Sequence, residues 1–170
     1  MDYSVRMVSR RTIALLLGLA LVSGYVLYDT TSGPAQPTLT VENNDTTAYQ
    51  LSAYTVASRE RAMYMNFEVT TRAGERRLKT LSQLVWSDRD QNVTLADEGI
   101  PAHHITVTPG EKVTTTIDGW TRGNVTVYIV EEIRNNETHT YTWIKTCTRP
   151  GQEHTLTFDE EGTSGSSTCT

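Results

Sequence analysis

Lysine is scarce in this chain: 3 residues in 170, against 12 arginines. Cysteine is scarcer still, with two. Acidic residues outnumber basic ones 20 to 15, a formal net charge of −5. Each shortage closes a class of function. A chain of this charge has no basic surface with which to neutralise phosphates, so it is not expected to bind nucleic acid. Two cysteines build neither a Cys-rich zinc site nor a disulfide-dense scaffold. Hydrolase signatures are missing: there is no Gly-x-Ser-x-Gly, no His-Glu-x-x-His and no phosphate-binding Gly loop. Adjacent acids such as Asp97-Glu98 and Glu131-Glu132 read as solvated charge and not as an acid–base pair. Long apolar runs are missing too, save one.

That run is Ile13 to Tyr28 (IALLLGLALVSGYVLY), 16 uncharged residues preceded by Arg6, Arg10 and Arg11. As a helix rising about 1.5 Å per residue it spans roughly 24 Å, a little short of a ~30 Å hydrocarbon core. Thr12, Thr30 and Thr31 extend it at the interfaces. The basic flank stays in the cytoplasm, so everything after Tyr28 is expected outside, N-in/C-out. The expected organisation is a cytoplasmic tip and transmembrane or signal-anchor helix (1–30), a Pro/Gly linker (31–37), a β-domain (38–159) and a Gly/Ser-rich tail (160–170). Cleavage of the same segment as a signal peptide is the alternative and would release the domain as a secreted protein. Ser9-Arg10-Arg11-Thr12-Ile13 resembles a twin-arginine export signal in part. With no Cys near the run a lipobox is excluded, and with no Gly between the basic residues and the run a prepilin signal is excluded.

From residue 38 the apolar period changes to two. Residues 38–42 alternate, Met63, Met65, Phe67 and Val69 share a face, and so do Ile105 and Val107. The same holds for Val113, Thr115 and Ile117, for Val125, Val127 and Ile129, and for His154, Leu156 and Phe158. Such alternation marks strands with one buried face. Breaks such as Arg72-Ala73-Gly74, Pro109-Gly110, Asp118-Gly119 and Pro150-Gly151 carry turn chemistry. The expected fold is all-β: an antiparallel β-sandwich, immunoglobulin-like or related, preceded by the one N-terminal helix. Leu78, Leu81, Leu84 and Val85 are spaced for one short helix or an irregular strand.

Threonine supplies 29 of the 170 residues. Residues 29–170 hold 12 Lys+Arg against 19 Asp+Glu, a net of −7. A Thr-rich, Lys-poor, acid-rich β-domain behind a twin-arginine-like start resembles the secreted or membrane-anchored β-sandwich proteins of halophilic archaea. The resemblance is compositional, covers the whole chain and contains no specific motif.

Four Asn-x-Thr sequons occur, at Asn44, Asn92, Asn124 and Asn136. Asn92 and Asn124 fall on the parity opposite their apolar neighbours, hence outward, and Asn44 and Asn136 lie in turn-like stretches. Cys147 and Cys169, 22 residues apart, are expected to form one bridge outside the cell and to pin the tail, worth about 3 kcal/mol by loop entropy. A rival reading takes His103 or His104, Cys147 and His154 as a type 1 copper set. No Met follows residue 65 to serve as axial ligand, which leaves Gln152 as a substitute. Asp88, Asp90 and Asn92 offer alternating oxygens for calcium, but Val93 and Gly99 stand where the loop needs Gly and Glu. Trp86, Trp120, Trp143 and most tyrosines read as core residues, with Tyr128 on the outward parity as a hint of a binding patch.

The functional expectation is therefore a non-enzymatic envelope protein without cofactor. The membrane holds it through the N-terminal helix, and other envelope or surface-layer proteins are its partners. A secreted ligand-binding module is the alternative, and a cupredoxin-like copper protein a lesser one.

Overall fold

A computed structural model of the protein describes residues 36–85, 90–133, 139–147 and 149–169. The apolar run 13–28, Trp86, Asp88 and the Asn136 sequon lie outside these. Among the described residues no helix is long and apolar enough to cross a membrane. In chain order the first elements are β1 (Thr38–Asn43), β2 (Ala48–Val56), α1 (Arg59–Met63), β3 (Asn66–Thr70), β4 (Arg76–Thr80) and α2 (Leu81–Leu84). There follow β5 (Gln91–Leu95), β6 (Ala102–Val107), β7 (Lys112–Thr116), β8 (Val125–Ile133), β9 (Thr140–Lys145), β10 (Gln152–Asp159) and β11 (Gly162–Cys169).

The strands of the described residues form three sheets. Sheet A has the order β11-β10-β1-β7, sheet B β6-β2-β8-β9, and the small sheet C β4-β3-β5. All pairings are antiparallel except one: β1 runs parallel to β10, with Leu39 beside His154 and Val41 beside Leu156. Sheets A and B make the sandwich. Its core holds Leu39 and Val41 of β1, Leu51 of β2, Val107 of β6, Val130 of β8 and Phe158 of β10. Tyr49 stacks on Phe158 across the two sheets, ring centroids 4.1 Å apart. A second core lies on the other face of sheet B. There Tyr54, Val56, Val125, Val127 and Ile129 meet Phe67 and Val69 of β3 and Leu81 and Leu84 of α2.

Sheet B is thus covered on both faces, and this overturns one expectation from parity. Val125, Val127 and Ile129 face sheet C, so Thr126 and Tyr128 face sheet A. Tyr128 is fully buried, not outward. A strand packed on both sides reads the same as a half-buried one whenever its second face carries Thr and Tyr. β2 behaves likewise: Tyr49, Leu51 and Ala53 enter the first core while Tyr54 and Val56 enter the second. The stretch 78–85 turns out to be both alternatives in succession, the end of β4 and then one turn of helix. Met65 is buried as its parity implies, but the strand starts one residue later, after α1. The Ser58 hydroxyl caps α1, accepting from the Arg61 amide at 3.1 Å.

Residues 162–169 are not a loose tail. They form β11, paired with β10 in unbroken register from Gly162–Asp159 to Cys169–Gln152. β11 and β9 are the edge strands of sheets A and B on the same side of the sandwich. A Cβ at Gly165 would approach Trp143 to 3.2 Å and Leu156 to 3.0 Å, so the indole of β9 rests directly on the β11 backbone. Beyond that contact Cys147, just past β9, is joined by a disulfide to Cys169 at the end of β11, with Cα atoms 6.0 Å apart. The bridge therefore ties sheet to sheet. On the opposite side His103 of β6 meets Thr115 of β7 through Nε2 and Oγ1 at 3.1 Å.

Candidate functional site

Sheet C is narrower than sheet B and leaves part of its face bare. β5 is an edge strand of sheet C, and beside it Gln50 of β2 and Ala102 and His104 of β6 lie open. The resulting cleft, about 420 Å³, has Gln50, Ser52 and Tyr54 of β2 and His104 of β6 on one wall, with Thr94 and Leu95 of β5 opposite. An adjoining hollow of about 360 Å³ shares Gln50, Val93 and Thr94 with it and is bounded further by Asn92, Glu131 and Ile133. Together they form one polar groove.

Its side chains are held in place. Ser52 Oγ and His104 Nδ1 lie 2.9 Å apart. The Tyr54 and His104 rings meet edge to face at 6.3 Å. Glu131 accepts a hydrogen bond from the Val93 amide at 3.2 Å, tying β8 to β5. Burial raises the Glu131 pKa above the ordinary carboxylate value, and the hydrogen bonds from the Val93 and Asn92 backbone only partly offset this. The groove thus offers hydroxyl, amide, imidazole and carboxylate groups, with the Tyr54 ring buried beneath them. That set suits a neutral, hydroxyl-rich ligand better than an anion.

The sequons separate once placed. Asn44 is exposed in the turn between β1 and β2. Asn92 is exposed at the start of β5 with φ of 50°, where the β3–β5 register shifts by a bulge. Asn124 is half-buried, and its carbonyl accepts from Trp120 Nε1 at 3.2 Å. Thr126, the third residue of that sequon, is fully buried in sheet B.

The copper set is not assembled. Both cysteine sulfurs are in the disulfide, which leaves no thiolate. His103 and His104 point to opposite faces of β6, one to Thr115 and the other to Ser52. His154 lies in the sandwich core, 1% exposed, with Nδ1 hydrogen-bonded to the Tyr128 hydroxyl. Burial, helped by Lys145, lowers its pKa from 6.5 to about 4. Of the calcium candidates among the described residues, Asp90 is buried and ion-paired with Lys79 at 2.6 Å, and Asn92 is exposed at the groove. Among the described residues no group of three or more His, Cys, Asp or Glu is placed to hold a metal ion. The sequence motifs do not reveal Gln50 and Ser52, whereas Tyr54 is among the aromatic residues that could line a patch. The alternation of Tyr49, Leu51 and Ala53 around the first two was a visible strand signal, but nothing local reveals that the polar side faces a groove.

A protein family described as "Halobacterial Ig domain protein" matches residues 7–170. No curated protein matches the sequence. Among solved structures, the type VI secretion lipoprotein TssJ1 from Pseudomonas aeruginosa is 11% identical, covering 79% of this chain and 97% of its own, with a TM-score of 0.40. A chain described as a trapped toxin is 9% identical and covers 78% of this chain with a TM-score of 0.33. Another, a Gram-negative toxin, is 8% identical and covers 79% with a TM-score of 0.35. This chain spans only 23% of either toxin chain. Likenesses of this strength carry no argument about function.

Proposed function

The chain belongs to the halobacterial Ig domain proteins, and from that premise we propose that it is a non-enzymatic domain of the cell envelope. The segment Ile13–Tyr28 tethers it to the membrane, N-in/C-out, and the β-domain outside serves structural or protein-binding contacts. The observation that carries this reading is the Cys147–Cys169 disulfide. It joins two sheet edges, and such bridges persist in oxidising surroundings beyond the cytoplasm. The three arginines before the apolar run set the same orientation. Exposed sequons at Asn44 and Asn92 fit a domain outside the membrane. A non-catalytic role is supported by His154, which is buried in the sandwich core with Nδ1 bonded to the Tyr128 hydroxyl.

The test is a membrane preparation from the native cells, washed at high pH, together with protease treatment of intact cells. The expected result is a chain that stays with the membrane, keeps Ile13–Tyr28 and loses its β-domain to external protease. Recovery of the whole chain in the cytosol with both thiols free would overturn the reading. The polar groove favours a second reading, a secreted ligand-binding module. A mature N-terminus beyond Tyr28, found on protein in the medium, would select it.

A further inference from the structure

We propose that the groove beside β5 is the seat of a glycan carried by Asn92 of the same chain. This rests on the reading of the domain as extracytoplasmic. Of the three sequon asparagines among the described residues, Asn92 alone borders the groove. The left-handed backbone at the bulge takes it out of the regular ladder. Its main chain is held there, the carbonyl accepting from Arg76 Nη1 at 3.0 Å. The side-chain amide is hardly held, with one long contact of 3.4 Å to Thr70 Oγ1. Thr94, which completes the sequon, is exposed and lines both parts of the groove. The acceptor amide and the hydroxyl that the transferase reads are thus both accessible on an edge strand.

The groove has the chemistry of a sugar site. A pyranose ring presents hydroxyls on its rim and C–H groups on its faces. Gln50, Thr94, His104 and Glu131 supply donors and acceptors for the first, and exposed Ala102 and half-buried Leu95 supply an apolar surface for the second, above the buried Ser52 and Tyr54. The volumes, about 420 and 360 Å³, lie within the range of about 300–1,000 Å³ usual for small-ligand clefts. Attachment at the rim makes binding intramolecular, so individually weak sugar contacts suffice to hold the glycan. Its role follows from the fold. β5 is an open edge, and beside it Gln50 of β2 and Ala102 and His104 of β6 are exposed, an arrangement prone to unwanted strand pairing. A seated glycan covers both.

In the modification itself Asn92 Nδ2 bonds to the anomeric carbon of a sugar activated as a lipid-linked phosphate. The bond from that carbon to the phosphate oxygen breaks, the phosphate leaves with the electron pair, and Nδ2 loses one proton. The envelope glycosylation machinery supplies the donor.

The test uses full-length protein from its native host, mapped for glycopeptides and compared by amide hydrogen exchange with three variants. Thr94→Val removes the sequon while keeping the side chain's shape, Thr94→Ser preserves the sequon, and Asn44→Gln removes a glycan remote from the groove. The expected result is a glycan on Asn92. Exchange at the amides of β5 and β6 should then rise several-fold in Thr94→Val, and stay native in Thr94→Ser and Asn44→Gln. Glycan on Asn44 with Asn92 bare would overturn the inference and leave the extracytoplasmic reading standing. So would a glycosylated Asn92 whose loss leaves groove exchange unchanged, since the sugar would then stand in solvent. A cytosolic chain with no sequon occupied would overturn both.

Discussion

At the scale of single residues, the least expected side chain is His154. Its parity with Leu156 and Phe158 places it on the core face of β10, and that much was readable from the sequence. Its partner was not, because Tyr128 lies 26 residues away on another sheet. The Tyr128 hydroxyl satisfies Nδ1, while Nε2 is buried with no hydrogen-bond partner among the described residues. A charged imidazole there would lose its hydration and sit near Lys145, which is why the pKa falls to about 4. The unfolded chain binds the proton near pH 6.5, before the folded one does. Stability from the neutral ring is therefore fully present above pH 6.5 and is lost as pH falls towards 4. The loss is on the order of 2 to 3 kcal/mol. Urea unfolding at pH 7 and at pH 5 measures it. Glu131, whose pKa is raised, contributes the opposite slope, so the comparison needs a variant. His154→Gln retains a hydrogen-bonding partner for Tyr128 and cannot titrate, and it should flatten the acid-side loss. An unchanged slope would mean that His154 is protonated in the fold.

At the scale of elements, β11 is where composition misleads. GTSGSSTC has the look of a frayed tail, with low strand propensity and two glycines. It is a strand because of what lies against it. β10 offers a full ladder, Trp143 needs the bare backbone at Gly165, and the disulfide fixes the far end. The cysteine spacing was visible in the sequence, as was the gain expected from closing the loop. That the bridge joins the edges of two sheets was not, because period two assigns faces and not neighbours. Replacing both cysteines by serine, which avoids a stray thiol, should cost about 3 kcal/mol. Chemical denaturation of native and variant protein checks the size. Hydrogen exchange checks the place, because β11 should become the first strand to open. A uniform loss of protection across all strands would show instead that the bridge acts only through the unfolded chain.

At the scale of the whole molecule, charge is the property that the sequence states most directly. Residues 29–170 carry a net charge of −7, and the described ion pairs Arg76–Glu68, Arg77–Glu75 and Lys112–Glu42 are largely exposed. Exposed pairs contribute little, so repulsion among the excess acids is the larger effect at low salt. Raising ionic strength from about 0.1 M to 1 M shortens the screening length from ~10 to ~3 Å. The melting temperature should therefore rise over that range. A fall would mean that the exposed pairs outweigh the repulsion.

The order of apolar and polar residues along the chain was enough to call for strands, to mark most of their inward positions and to place the turns, because backbone geometry ties side-chain direction to residue number. Bulk composition, and not that order, carried the likeness to proteins of halophilic archaea. Tertiary structure alone decided that the described strands form three sheets and not two. It alone buried Tyr128 and Thr126, ran β1 parallel to β10 and turned a Gly/Ser stretch into an edge strand. It also set Asn92, Gln50 and His104 around one groove. Each of these depends on which strand lies beside or above which. That choice is made by burying two faces of sheet B at once, and no window of consecutive residues contains it.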